Sequence, residues 1–220
     1  MNGWDATDRR VIGMGRHEID PHRYVHRVNY GTVGPPVVFV QAVGELESVR
    51  FRRHVEIEPL PAPKRIAPYA VAYAVHVWPA RGGDATATGR FVLLHDPAGH
   101  EEWGGVWRVV IFAQADVEPE VAEDQLLAEA TWSWLTDSLT AEGVDYQRLG
   151  GTVTRTSSRG FGALEGERAS NAVEVRASWS PVDRHVAGQF RAFGDLLAYM
   201  GGCRRREMTS QCWMRSAEGS

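Results

Sequence analysis

The sequence predicts an α+β fold, in which a mainly antiparallel five-stranded sheet forms one layer and packed helices form the other. Two observations carry this prediction. The spacing of apolar residues changes repeatedly between the helical period and the strand period of two. The segments with these periods follow one another as helix, three strands, helix, two strands and helix. The predicted element order is therefore α-βββ-α-ββ-α.

The first helix is predicted to start at Pro36, because proline is favoured in a first helical turn and the following apolar residues recur every three positions. These residues are Val37, Val40, Val43 and Leu46. The proline-rich segment 58–63 is predicted to be an extended connector, since proline lacks the N–H that a central strand needs.

Three strands are predicted next. From Tyr69 to Val77 large residues alternate with mostly small ones, the pattern of a strand with one large and one small face. A Gly-Gly-Asp turn leads to a second strand near Arg90 to His95. The segment Asp96-Pro97-Ala98-Gly99 is predicted to be the hairpin loop before a third strand, Val106 to Ala115.

A long helix is predicted after the third strand. Glu118, Pro119 and Glu120 suit its first turn, where the helix dipole favours acids and where proline lacks no needed donor. Gly143 is a natural stop. The apolar stripe of this helix, at helical spacing, consists of Ala128, Trp132, Leu135 and Leu139.

Two strands and a helix complete the predicted domain. The strands run around Thr152 to Ser157 and Val173 to Trp179, and the last has an apolar and a polar face. The helix carries its apolar residues from Val186 to Met200 at spacings of three and four.

The chain is predicted to divide into three parts. Residues 1–35 are rich in Gly, Arg and His and are predicted to be a poorly ordered extension. Residues 36–202 form a single α+β domain. Residues 203–220 lose the apolar periodicity and are predicted to be a divergent tail.

Composition and charge exclude several classes of function. The 220 residues are 43% hydrophobic and 24% charged, and no apolar run reaches the length of a membrane span. The two cysteines make no disulfide framework, which favours a cytoplasmic protein. Nine acidic residues and no Lys or Arg lie between Asp116 and Gln147. A nucleic-acid partner is therefore not expected, because it requires a basic face.

A first polar cluster combines His95, Asp96 and His100 with two glutamates. Two imidazoles and a carboxylate can bind a divalent metal. The same segment is also a good turn, with Asp96 accepting from backbone amides and Gly99 at positive φ. Because the spacing matches no known metal motif, we predict a polar hairpin loop and neither a metal nor a cofactor.

A second polar cluster lies in the Thr-rich strand and the Gly-rich turn that follows it. Its hydroxyls, its two arginines and an aromatic residue between glycines can hold a phosphate or carboxylate. A solvent-facing strand of threonines accounts for the same pattern. The candidate ligand-binding residues are Thr154, Arg155, Ser157, Ser158, Arg159 and Phe161, with His95, Asp96 and His100 beside them.

Two tryptophans are candidates for a partner surface. Trp132 belongs to the helix stripe and is predicted to be core. Trp134 is about 200° further around the helix, so it either packs on a second side or reaches a partner. Trp103, in the loop before Gly104, raises the same alternative, since indoles are enriched both in cores and at interfaces.

No catalytic residue is predicted, because the domain has no nucleophilic cysteine and no hydrolase, metalloprotease or paired-carboxylate motif. The first hypothesis is a non-enzymatic domain that binds another protein through aromatic surface. The alternative is a protein that binds a small anion, or an enzyme, using the Thr-rich strand together with the His95–His100 loop.

The stretch 90–162 also carries a family resemblance. Its segments FVLLHDPAGHEEWGGVWRVV, ADVEPEVAEDQLLAEATWSWLTDSL and GGTVTRTSSRGFG resemble the actinobacterial family called domain of unknown function 3000. The resemblance implies the kind of domain and no activity. The element order is similar to that of the secretion-chaperone-like fold, whose members bind polypeptides, and this favours binding.

Overall fold

A computed structural model shows an α+β protein with one open antiparallel sheet and four helices in the part of the chain that it describes. That part comprises residues 26–27 (backbone), 34–51, 54–79, 83–165, 170–183 and 185–202. The strands are β1 (His26–Arg27), β2 (Val55–Leu60), β3 (Tyr69–Val77), β4 (Ala87–His100), β5 (Gly105–Asp116), β6 (Tyr146–Ser158) and β7 (Ser170–Pro181). The helices are α1 (Val37–Ser48), α2 (Pro119–Ala122), α3 (Leu127–Ala141) and α4 (Val186–Met200).

The sheet has the order β3-β4-β5-β7-β6, and both β1 and β2 pair with the remaining side of β3. Seven strand segments thus occupy six positions, and the prediction of five strands in the order α-βββ-α-ββ-α is wrong. The missed strand β2 includes Pro59, opposite Tyr73. Proline is tolerated there because an edge strand has amides that no neighbour requires.

The two faces of the sheet differ in how they are covered. Alternate residues of the central strands point to α1, α3 and α4 and form the main core, which includes Phe39, Phe91, Phe190 and Trp179. The Trp179 indole donates to Gln189 Oε1 at 2.6 Å, so its buried N–H is satisfied. On the other face, a small cluster around Ala70, Leu94 and Trp103 covers one part of the sheet. We call these the helix face and the open face.

The helices follow the predicted stripes with one exception. α1 begins directly after Pro36, and α4 has the predicted bounds. The predicted long helix is split into α2 and α3, because Asp124 Oδ1 accepts from the Leu126 amide at 2.9 Å and holds a turn between them. Gly143, at a φ of 62°, ends α3 as expected.

The hairpin between β4 and β5 also differs from the prediction. Its turn is the short 3₁₀ helix Glu101–Trp103 followed by Gly104, whereas Asp96 to Gly99 lie inside β4 as an irregularity between His95 and His100. The local chemistry of that segment is as predicted. Asp96 Oδ1 accepts from the Ala98 amide at 3.0 Å, and Gly99 has a φ of 79°.

The structure describes only a small part of the two predicted ends of the chain. Residues 26–27 of the predicted N-terminal extension pair with β3. Most of the rest of that extension, and the predicted tail at 203–220, lie outside the described residues. Within the described ranges, no helix has both the length and the apolar character needed to cross a bilayer.

Candidate functional site

A groove lies where the tip of the β6–β7 hairpin approaches α2. It consists of two neighbouring hollows of about 550 and 430 Å³. Both are lined by Ala122 and Glu123 of the α2 side and by Ser157 of β6. Arg159, Phe161 and Glu165 line the larger hollow, and Arg155 lines the smaller one. We call this region the tip groove.

The antiparallel register decides which residues of β6 reach the tip groove. Arg155 pairs with Val173 of β7, and Ser157 pairs with Asn171. Both of these β7 residues point to the same side of the strand as the core residue Val175. The side chains of Arg155 and Ser157 therefore point to the helix face, beside α2. Thr154 and Ser158 have the opposite parity and point to the open face. Of the predicted ligand residues in this segment, Arg155, Ser157, Arg159 and Phe161 line the groove, and Thr154 and Ser158 do not.

Arg155 has a structural contact as well as a place in the groove. Its Nη1 donates to the Asp124 carbonyl oxygen at 2.8 Å, which ties β6 to the turn between α2 and α3. Glu174 lies on the open face and binds Arg176 at 2.6 Å. Arg155 is at the same time part of the lining of the smaller hollow.

Arg159 and Phe161 form the mouth of the larger hollow. The Arg159 guanidinium lies 5.9 Å from the centre of the Phe161 ring, a cation–π distance. Phe161 itself is 74% exposed. Gly160 between them is required by space, since a Cβ there would collide with the Leu164 carbonyl oxygen. The two arginines and the two glutamates of the lining balance, so the groove combines both charges.

Exposed apolar side chains surround the same groove. Besides Phe161, they are Val121, Leu126 and Leu164. Each adjoins in sequence a residue of the lining, namely Ala122, Leu127 or Glu165. Single exposed apolar residues are ordinary, but a group that flanks one groove marks an interaction surface.

The outer side of β6 has no strand partner among the described residues, because β6 ends the order of the sheet. Its thirteen residues are mostly exposed. Every second residue of such an edge directs its N–H and C=O outward, where another extended chain can pair with them.

The His95 segment lies far from the tip groove. His95 lies opposite Trp107 of β5. Arg155 lies opposite Val173 of β7, which in turn lies opposite Ala115 of β5. Ala115 is eight residues further along β5 than Trp107. At about 3.3 Å per residue, the two rows are about 26 Å apart. The expectation that the Thr-rich segment and the His95–Trp103 segment form one surface is therefore not met.

His95 is a core residue at this distant end. It is 3% exposed, its ring stacks on Trp107 at 4.0 Å, and its Nδ1 lies 3.1 Å from the Val106 carbonyl oxygen. Burial lowers the pKa of His95, against the smaller effects of that carbonyl and of Asp96. Because a carbonyl oxygen only accepts, Nδ1–H is the donor of this hydrogen bond.

His100 and Trp103 belong to the opposite side of the sheet. Their rings stack at 4.8 Å, and Trp103 is 8% exposed within the small cluster of the open face. His100 therefore cannot share a site with His95, which packs in the main core. Trp103, for the same reason, does not present its ring to a partner.

Both tryptophans of α3 are half-buried against the main core. Trp134 packs near Tyr199 of α4, with 6.4 Å between ring centres. The fully buried residues of α3 form one face of the helix, and the two tryptophans lie half-buried at the two edges of that face.

One wall of the groove was missed by sequence reasoning. Pro119, Ala122 and Glu123 were assigned to the first turns of a long helix, where they would serve only to start it. The available signal was Asp124, a residue whose side chain favours a turn over a helix interior.

Comparisons with known proteins bear on this architecture as a whole. No curated protein and no solved structure is detectably similar to the chain. The sequence profile of the family described as Protein of unknown function (DUF3000) matches residues 35–209, from the start of α1 to beyond the end of α4. Since this match covers more than half of the chain, the protein belongs to the DUF3000 family.

Proposed function

We propose that this protein is a non-enzymatic binding domain that captures an extended peptide segment of another protein. The peptide pairs with the outer edge of β6, and its side chains enter the tip groove. The protein acts as an adaptor in an actinobacterial cytoplasm, a compartment that its low cysteine content favours.

The observation that carries the proposal is the coincidence of an edge that no described strand pairs with and a groove of mixed charge beside the exposed Phe161 ring. Strand addition derives affinity from backbone hydrogen bonds and specificity from pockets that accept alternate side chains. The side chains of Arg155 and Ser157 line such hollows from β6, and Phe161 stands exposed at the end of the strand.

The charges of the groove define the occupant. Arg159 has no ion pair within the described part of the chain, and it adjoins the exposed Phe161 ring. We therefore expect a peptide with one apolar residue for Phe161 and one carboxylate for Arg159. Glu123 and Glu165 line the larger hollow and repel phosphates, which disfavours a nucleic-acid partner.

A small anion is the second candidate for the same groove. Arg159 and Arg155 supply the required donors without help from the distant His95 segment. In this alternative, phosphate or a simple dicarboxylate binds and the β6 edge stays unoccupied.

The two candidates are separated by selecting peptides from a displayed random library on the full chain. We expect the selected peptides to combine an acidic and an apolar residue, and to lose at least about tenfold in affinity with Phe161→Ser or Arg159→Glu. Val37→Ser is the matched control, since Val37 is 71% exposed near the opposite end of the sheet.

The readout for strand addition is amide hydrogen exchange. A bound peptide should slow exchange at alternate residues between Gly150 and Ser158, and phosphate should not. Peptides that bind the Phe161→Ser and Val37→Ser variants equally well would contradict the proposal. Binding of phosphate in the absence of any selected peptide would support the anion alternative instead.

A further inference from the structure

A small cavity lies at the edge of the sheet opposite to the tip groove. Its volume is about 180 Å³, and it is bounded by the end of α1, by β2 and β3, and by α4. Its apolar walls come from Leu46, Ile57, Pro59 and Phe190. Glu47 and Arg50 line the same cavity from the end of α1 and the residues just after it.

Tyr73 also lines this cavity, and its hydroxyl is a buried polar group. Tyr73 is 5% exposed, and its hydroxyl oxygen is fully buried with no hydrogen-bond partner among the described residues. Buried hydroxyls in proteins are almost always paired, because leaving one unpaired is costly. An unpaired hydroxyl in a cavity wall therefore indicates where a bound molecule makes its hydrogen bond.

The charges around the cavity disfavour an ionic ligand. Arg50 Nη1 donates to the carbonyl oxygens of Glu47 and Val49 at the end of α1, at 3.0 and 3.3 Å. Burial raises the pKa of Glu47, and burial together with the Glu47 charge raises the pKa of Tyr73. An ion of either sign would meet a like charge in the lining, Glu47 or Arg50, and would lose its hydration against the apolar walls.

We propose that this cavity binds a small uncharged molecule with an apolar ring or branched chain and one hydroxyl or carbonyl oxygen, which accepts a hydrogen bond from Tyr73. The volume suits this class, since apolar cavities of about 150 Å³ accept benzene. The site is independent of the peptide-binding proposal, because the two lie on opposite edges of the sheet, five strand spacings or about 24 Å apart.

Phenol and toluene are the probes that test the role of the hydroxyl, because they differ mainly in one oxygen. On the full chain, we expect both to shift the amide and side-chain NMR signals of Leu46 and Phe190. Phenol should bind about tenfold more tightly, the value of one net hydrogen bond. Tyr73→Phe should retain toluene and reduce the preference for phenol to near one.

Two further variants keep the result interpretable. Ile57→Phe, which fills the cavity, should abolish the binding of both probes, and its fold is checked by its NMR spectrum. Phe161→Ser should change neither affinity, since it lies at the other site. If neither probe binds the wild-type chain, or if Tyr73→Phe keeps the full preference for phenol, the proposal is overturned.

Discussion

Arg155 shows how one side chain takes part in both the fold and the candidate site. It lines the smaller hollow, and it also holds the turn before α3 through the Asp124 carbonyl. Arg159 has no comparable structural contact among the described residues, so it is the cleaner probe of binding.

The contact of Arg155 predicts a measurable loss of stability. Arg155→Ala should lower the free energy of unfolding by about 1 kcal/mol, since one charge-assisted hydrogen bond at an exposed site is lost. Urea unfolding measures this loss, and amide exchange at Leu126 should accelerate locally. Arg159→Ala is the matched control and should leave both unchanged. Equal effects of the two substitutions would contradict the assigned role of the turn contact.

His95 predicts a dependence of stability on pH. Because burial lowers its pKa from the ordinary value of 6.5, the folded state binds this proton less readily than the unfolded state. The stability that the protein gains from this difference at His95 is present above pH 6.5, and it is lost as the pH falls below that value. The urea concentration at the unfolding midpoint should therefore decrease as the pH is lowered from 8 to 5.5.

The control for this prediction removes the imidazole but keeps the aromatic stack on Trp107. His95→Phe should be less stable at neutral pH, because the bond to the Val106 carbonyl is lost. Its stability should decline less steeply toward acid than that of the wild type. The same slope in both proteins would show that His95 is not the group that titrates.

At the scale of the element, α3 and β6 depart furthest from what their sequences suggest. Trp132 and Trp134 are both half-buried, at the two edges of the single buried face of α3. β6 keeps one set of side chains on the helix face and leaves its outer backbone edge unpaired within the described structure.

The packing of α3 predicts similar costs for its two tryptophans. Trp132→Ala and Trp134→Ala should each lower the free energy of unfolding by about 2–3 kcal/mol, below the cost of a fully buried aromatic residue. Chemical denaturation measures both. A loss at Trp134 much smaller than that at Trp132 would mean that Trp134 is free for a partner after all. Trp179→Ala, at the centre of the core, should cost more than either.

At the scale of the whole molecule, the sheet separates three regions, two of which, the Thr-rich segment and the His95 segment, the sequence joined in one candidate site. The tip groove lies beside β6, the Tyr73 cavity lies beside β2, and the His95 stack lies at the far end of the central strands. The width of the sheet isolates these three regions, so each can be altered by substitution without changing the others.

The sequence by itself determined the elements whose signals are local. Proline and apolar spacing predicted the start of α1, alternation predicted β3, and the three-and-four spacing predicted α4 with its observed bounds. The α+β class follows from the succession of these periods. Belonging to the family follows from sequence as well.

Only the tertiary structure decided which polar residues meet. Strand register is set by pairing between distant segments, and a shift of one residue would have exchanged Thr154 for Arg155 on the helix face. Likewise, no local pattern shows that Pro59 belongs to an edge strand, that His95 is buried or that the Tyr73 hydroxyl lacks a partner among the described residues. These properties depend on what other parts of the chain bring to the residue, and for that reason the periodicity of its own segment could not predict them.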